Sequence, residues 1–152
     1  MGVDPGVIGT QLPTTTVTVD RGRLRFFAKA IGETNPVYTE LDAAIAAGHP
    51  DLPAPPTFLF SIELEAPDPF AYLAALGVDL RFVLHGEQSF VYHQPAYPGD
   101  ELVAHPRITD VYTKKAGALE FIAKETTVTR IDGTPIADLR SVIVVRNPEG
   151  SA

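Results

Sequence analysis

The chain has 152 residues, no cysteine and a formal charge of −7. A length of this order points to one domain, spanning residues 1–152 with a core over about 10–147, that buries roughly 70% of its unfolded surface. The missing thiols exclude a disulfide framework, a thiolate nucleophile and a cysteine-ligated metal, and the acidic balance argues against a nucleic-acid partner.

Residues Thr14–Val19 (TTTVTV) are β-branched and predict a short strand. Asp20 then caps a helix whose apolar face is Leu24, Phe27, Ala28 and Ile31. Gly32 ends that helix, and Glu33–Tyr38 (ETNPVY) is a loop. Residues 39–47 predict a second helix, with Thr39 and Asp42 as a variant capping box and Gly48 as its stop. The segment 48–56 (GHPDLPAPP) is too rich in proline for regular structure. Thr57 opens an apolar stretch, TFLFSIELE, expected to be a buried helix, and Asp68-Pro69 starts another short one.

From Asp79 the texture changes to long, partly alternating runs over 80–94, 101–113, 118–130 and 136–146. Gly99-Asp100, Ala116-Gly117 and Asp132-Gly133 punctuate them as turns. The tail beyond Asn147 is expected to be loose. One strand, several helices and then four antiparallel strands predict an α+β fold, a sheet wrapped around a central helix. No apolar run reaches the roughly 18 residues of a membrane span, and no basic start precedes an apolar run near the beginning. A cytoplasmic chain without a membrane partner is therefore expected.

Three stretches carry a resemblance to a known family. FAKAIGETNPVY (Phe27–Tyr38) resembles the MaoC-like hydratase signature: an aromatic residue, a small residue, Gly, Asp, any residue, Asn, Pro, an aliphatic residue and His. APPTF (Ala54–Phe58) and HGEQSFVYHQPAYPGDEL (His85–Leu102) resemble the family's entry to its central helix and its first long strand. The similarity covers about residues 10–147 and is greatest to the amino-terminal MaoC-like dehydratase subgroup, akin to the dehydratase region of type I fatty-acid synthases. It implies a single hot-dog domain that adds water reversibly to 2-enoyl thioesters. It also implies an acyl-CoA or acyl-thioester ligand, no cofactor, no metal, and assembly as a homodimer or with a second MaoC-like subunit.

The resemblance carries over unevenly. Gly32, Asn35 and Pro36 match the signature, whereas Glu33 stands at the Asp position and Tyr38 at the His position. An extra methylene moves a carboxylate by about 1.5 Å, a displacement that can cost on the order of 100-fold in rate. A phenol ionises near pH ~10, against ~6.5 for an imidazole, so it exchanges protons poorly at neutral pH. The degenerate positions Glu33, Asn35 and Tyr38 are thus expected to keep the loop's shape without its acid/base pair, and a catalytic MaoC-like partner is expected to supply the chemistry. Gly32, Pro56, Thr57 and Phe58 are the expected substrate-binding positions. Pro56 has no N–H, so a donor to the thioester oxygen would come from Thr57 or Phe58.

Other residues read as structural. His85 and Glu87, two apart on a strand, are expected on one face, and His93 lies about 25 Å beyond His85 at ~3.3 Å per residue. His49 reads as a loop histidine, and Lys114-Lys115 as a solvated hairpin tip. Two alternatives stay open: a hot-dog thioesterase using Glu63 or Glu65 on the central helix, and a non-catalytic acyl-CoA-binding subunit.

Overall fold

The computed structural model describes residues 2–147. The tail after Asn147 lies outside the described residues.

The strands are β1 (Thr15–Thr18), β2 (Val83–Tyr92), β3 (Glu101–Lys114), β4 (Leu119–Arg130) and β5 (Pro135–Arg146). They form one antiparallel sheet in the order β1-β3-β4-β5-β2. The last four are joined to their sheet neighbours in a mostly regular register, from Leu102↔Arg130 through Thr126↔Leu139 to Tyr92↔Ala137. Alternation explains which face is covered. Val128, Ala137, Leu139 and Ile143 share the covered face, and the polar Thr126 and Ser141 are buried in phase with them. The turns use left-handed backbone where the sequence puts glycine, as at Gly133 (φ 92).

The helices are α1 (Arg21–Ala30), α2 (Leu41–Ala46) and α3 (Ala71–Ala75). Asp20 caps α1 by accepting from the Arg23 N–H at 3.1 Å. Leu24 and Ala28 are fully buried and Phe27 partly so, whereas Ile31 at the helix end is half exposed. The capping box expected at α2 does not form. Its N-cap is Glu40, without a side-chain bond, and the Thr39 carbonyl accepts instead from Arg25. The helix expected at Asp68-Pro69 starts later, at Ala71, because the Asp68 carbonyl closes a turn onto the Ala71 N–H.

The largest departure is the central segment. Residues expected to form one α-helix form two 3₁₀ pieces, Pro56–Ser61 and Glu63–Glu65. Its bonds run three residues back, Phe58 to Pro55 and Ile62 to Leu59. Two consecutive prolines fix the approach, and a three-residue period still keeps Leu59 and Ile62 on one buried face. Phe58, Leu59 and Ile62 pack with Leu24, Leu102, Val128 and Leu139 into the main core. The topology is a hot-dog sheet whose inner face holds this short, tight segment.

Candidate active site

The loop after α1 is built from its own side chains. Gly32, at φ +72, and Glu33 send their N–H groups back to Lys29 and Ala28, which closes the helix end. The Glu33 carboxylate then accepts from the Asn35 N–H at 2.9 Å, and Asn35 Oδ1 accepts from the Val37 N–H at 3.1 Å. Pro36–Tyr38 forms a 3₁₀ turn that carries Tyr38 inward.

Tyr38 reaches a cavity of about 260 Å³. The Pro-rich loop contributes His49, Pro53 and Ala54; the central segment contributes Pro56 and Leu59; the end of β2 contributes Tyr92, His93 and Gln94. Three contacts hold these walls in place. The Ala54 N–H donates to the Ala96 carbonyl at 2.8 Å. Arg130 on β4 binds Gln94 Oε1, the Pro95 carbonyl and Asp100 at 3.1, 3.1 and 3.2 Å. Arg21 on α1 clamps Asp51 through two bonds of 2.7 and 3.1 Å, and this bond holds the Asp51 carboxyl below its usual range.

Two histidines in this cavity are partnered. His49 Nδ1 lies 2.8 Å from the Tyr97 hydroxyl, and His93 Nε2 lies 2.8 Å from Asp138 Oδ2 on β5. Burial, and secondarily the neighbouring Tyr38, push the Tyr92 phenol up from its ordinary value. The wall is mostly apolar, with a few converging polar groups, which is the usual character of a small-molecule site.

Of the residues expected in the site, Tyr38 and Pro56 line the cavity. Glu33 and Asn35 shape the loop beside it, and Gly32 closes the helix before it. Thr57 is exposed. Phe58 is buried edge-on against Phe27 at 5.5 Å, and its N–H is bonded to the Pro55 carbonyl at 2.9 Å. That bond removes Phe58 as a donor to a thioester oxygen. His85 and Glu87 do not share a face. A bulge at Gly86 pairs His85 with Ile143 and Glu87 with Val142, so His85 meets Phe60 edge-on on one face while Glu87 faces Arg140 on the other.

Tyr92, Gln94 and Arg130 carry no motif in the sequence, and His93 reads there as structural. His93 falls inside the expected 80–94 strand, and Asp138 is 45 residues away, so only the β2–β5 register brings them together.

A larger cavity, about 430 Å³, lies elsewhere between residues 12–16 and the 63–72 stretch. It contains none of the signature residues. Its floor is a half-buried ion pair, Lys124 to Glu63 at 2.8 Å, with Thr126 donating to the same carboxylate at 2.9 Å. Tyr72 beside it is pushed up to about 12, by burial first and by Glu63 second. Glu65 is paired with Arg23. Both carboxylates considered for thioesterase chemistry are therefore engaged by cations. Among the described residues no cluster of three His, Asp or Glu side chains has the arrangement of a metal site. No helix among them is long and apolar enough to cross a membrane.

A family model described as the FAS1-like, dehydratase domain region matches residues 6–139. The chain belongs to the FAS1-like dehydratase-region family. Curated relatives of this dehydratase-like chain include a UPF0336 protein of Saccharopolyspora erythraea, 34% identical over 99% of this chain and 98% of that one. A UPF0336 protein of Clavibacter michiganensis is 37% identical over 98% and 99%. Among solved structures, a MaoC-like dehydratase superposes with a TM-score of 0.81 at 24% identity, covering 94% of this chain and 43% of that one. The truncated HadBC (3R-hydroxyacyl-ACP dehydratase) complex of Mycobacterium tuberculosis gives 0.74 at 23% identity, over 94% and 99%. The ChsH1–ChsH2 complex of the same organism gives 0.75 at 24%, over 93% and 92%. These likenesses identify the hot-dog fold of the MaoC-like dehydratases and hydratases.

Proposed function

We propose that this chain is a cytosolic subunit of an acyl-thioester hydratase/dehydratase, with an acyl-CoA or other acyl thioester as ligand. The observation that carries the reading is the convergence on one cavity of Tyr38, the start of the central segment and the end of β2. In a hydratase the thioester and its 2,3-bond would lie there, between the signature loop and the central segment. Glu33 spends its carboxylate on a backbone N–H, and Tyr38 offers a phenol, so the signature pair itself does not move protons.

The second half of the reading is a MaoC-like partner. Strand β2 is the last in the sheet, and its outward side chains Leu84 and Val91 are 50% and 59% exposed. A ten-residue edge of this kind favours a neighbouring strand. HadBC and ChsH1–ChsH2 are themselves complexes, which supports pairing with a different chain.

The test is to purify the native assembly, weigh it, and assay crotonyl-CoA hydration by the chain alone and by the assembly. We expect a partner of similar size, with hydration many-fold faster in the assembly. Robust hydration by the isolated chain, abolished by Glu33→Ala, would refute partner dependence. Acyl-CoA binding with no turnover in any pairing would leave a binding subunit instead.

A further inference from the structure

We propose that His93, oriented by Asp138, carries protons to and from the acyl chain in the Tyr38 cavity. The inference rests on the cavity being an acyl-thioester site, and it assigns the chemistry to a residue outside the signature.

The dyad stands where β2 ends. The N–H groups of His93 and Gln94 both donate to the Ile136 carbonyl, at 2.8 and 3.2 Å, which fixes the base of the side chain on β5. Asp138 is two residues further along β5 and reaches His93 Nε2 at 2.8 Å. A carboxylate on Nε2 keeps the proton on that nitrogen, which leaves Nδ1 with a lone pair. That tautomer accepts a proton. The cavity's other imidazole, His49, faces the Tyr97 hydroxyl, which can donate or accept and so fixes no tautomer. The remaining titratable groups of the wall, Tyr38 and Tyr92, are phenols.

In the dehydration direction, Nδ1 removes the proton from C2 of a 3-hydroxyacyl thioester. The C2–H electron pair becomes the C2=C3 double bond, and the C3–O bond breaks. The imidazolium returns the same proton to the departing hydroxyl, which leaves as water. Both transfers occur on one face of the substrate, the imidazole ends as it began, and nothing is oxidised or reduced. Asp138 is a positioning residue: it holds the tautomer and stabilises the imidazolium. The His93 and Asp138 side chains are 38% and 54% exposed, so a small dissolved base can enter the place of a deleted ring.

The experiment uses the full chain, alone and with the MaoC-like chain that co-purifies with it, and reads hydration of crotonyl-CoA. General acid–base catalysis contributes ~10²–10⁴-fold, so His93→Ala should lower kcat by about 100-fold or more in whichever preparation is active. Added imidazole should restore a measurable part of that loss. Asp138→Asn should lower kcat by about tenfold or more with KM unchanged. His93→Gln, which keeps a polar side chain of similar reach, guards against a folding defect, and thermal melting of each variant checks it. Wild-type rates in both His93 variants would overturn the proposal. So would a folded His93→Ala chain that is slow and indifferent to imidazole. No hydration by the wild type in any pairing would instead overturn the hydratase reading, and this inference with it.

Discussion

Glu33 and Tyr38 are five positions apart and end in different surroundings. One is held by the backbone of its own loop, and the other faces a cavity. Residue identity at a motif position was legible in the sequence, but its surroundings were not. Tyr72 shows this more sharply, because nothing in the sequence marks it and the fold still places its phenol against Glu63 under the central segment. Its phenol ionises at about 12, above the ordinary 10.0. The unfolded chain releases that proton near its ordinary value, so the folded state binds the proton more tightly. The stabilisation is complete below pH ~10 and is lost as pH rises toward ~12, an effect on the order of 2 kcal/mol. In urea melts at pH 9 and pH 11.5, the wild type should lose more stability between the two than Tyr72→Phe does. Equal losses would show that Tyr72 is not the group responsible. His93 belongs to the same scale. Its spacing from His85 and Glu87 was readable, whereas its pairing with Asp138 is a product of register.

Among the elements, the four long strands were readable almost to their ends, because β-branched alternation and Asp132-Gly133 leave few other choices. The central segment was not. Over two turns, a period of 3.0 and one of 3.6 bury nearly the same residues, so TFLFSIELE fits either helix type. The bulge in β2 was equally hidden, since a glycine inside a strand has several uses. Its use here is close approach. A Cβ on Gly86 would lie 2.6 Å from Val144 Cγ2 and 3.2 Å from the Val142 carbonyl oxygen. Gly86→Ala should therefore cost ~1–3 kcal/mol, as overpacking of a fitted site does, and lower the urea midpoint without changing the slope. An unchanged midpoint would mean that Val144 moves aside at no cost.

For the whole molecule, one sheet carries both the cavity and the open edge. β2 lines the cavity at its Tyr92 end and forms the outer strand along its length. In the proposed pairing along β2, association and the cavity would share one strand. Val91→Lys places a charge on a 59%-exposed position of that strand, and it should shift the assembly toward single chains in sedimentation while the isolated chain's melting stays within about 0.5 kcal/mol of wild type. An assembly of unchanged mass would move the interface away from β2. The fold class was legible at this scale from element order alone, whereas which strand lies at the edge follows from pairing across the chain, β2 with β5.

The bulge at Gly86 also bears on symmetry. Two copies of β2 paired about a two-fold axis would carry the irregularity twice, once in each strand, and a ladder centred between Ser89 and Phe90 keeps both outside it. A partner strand without a bulge meets it once, leaving Glu87–Tyr92 as an uninterrupted run. The single extra residue therefore confines an added strand, from a second copy or a different chain, to the six-residue run Glu87–Tyr92.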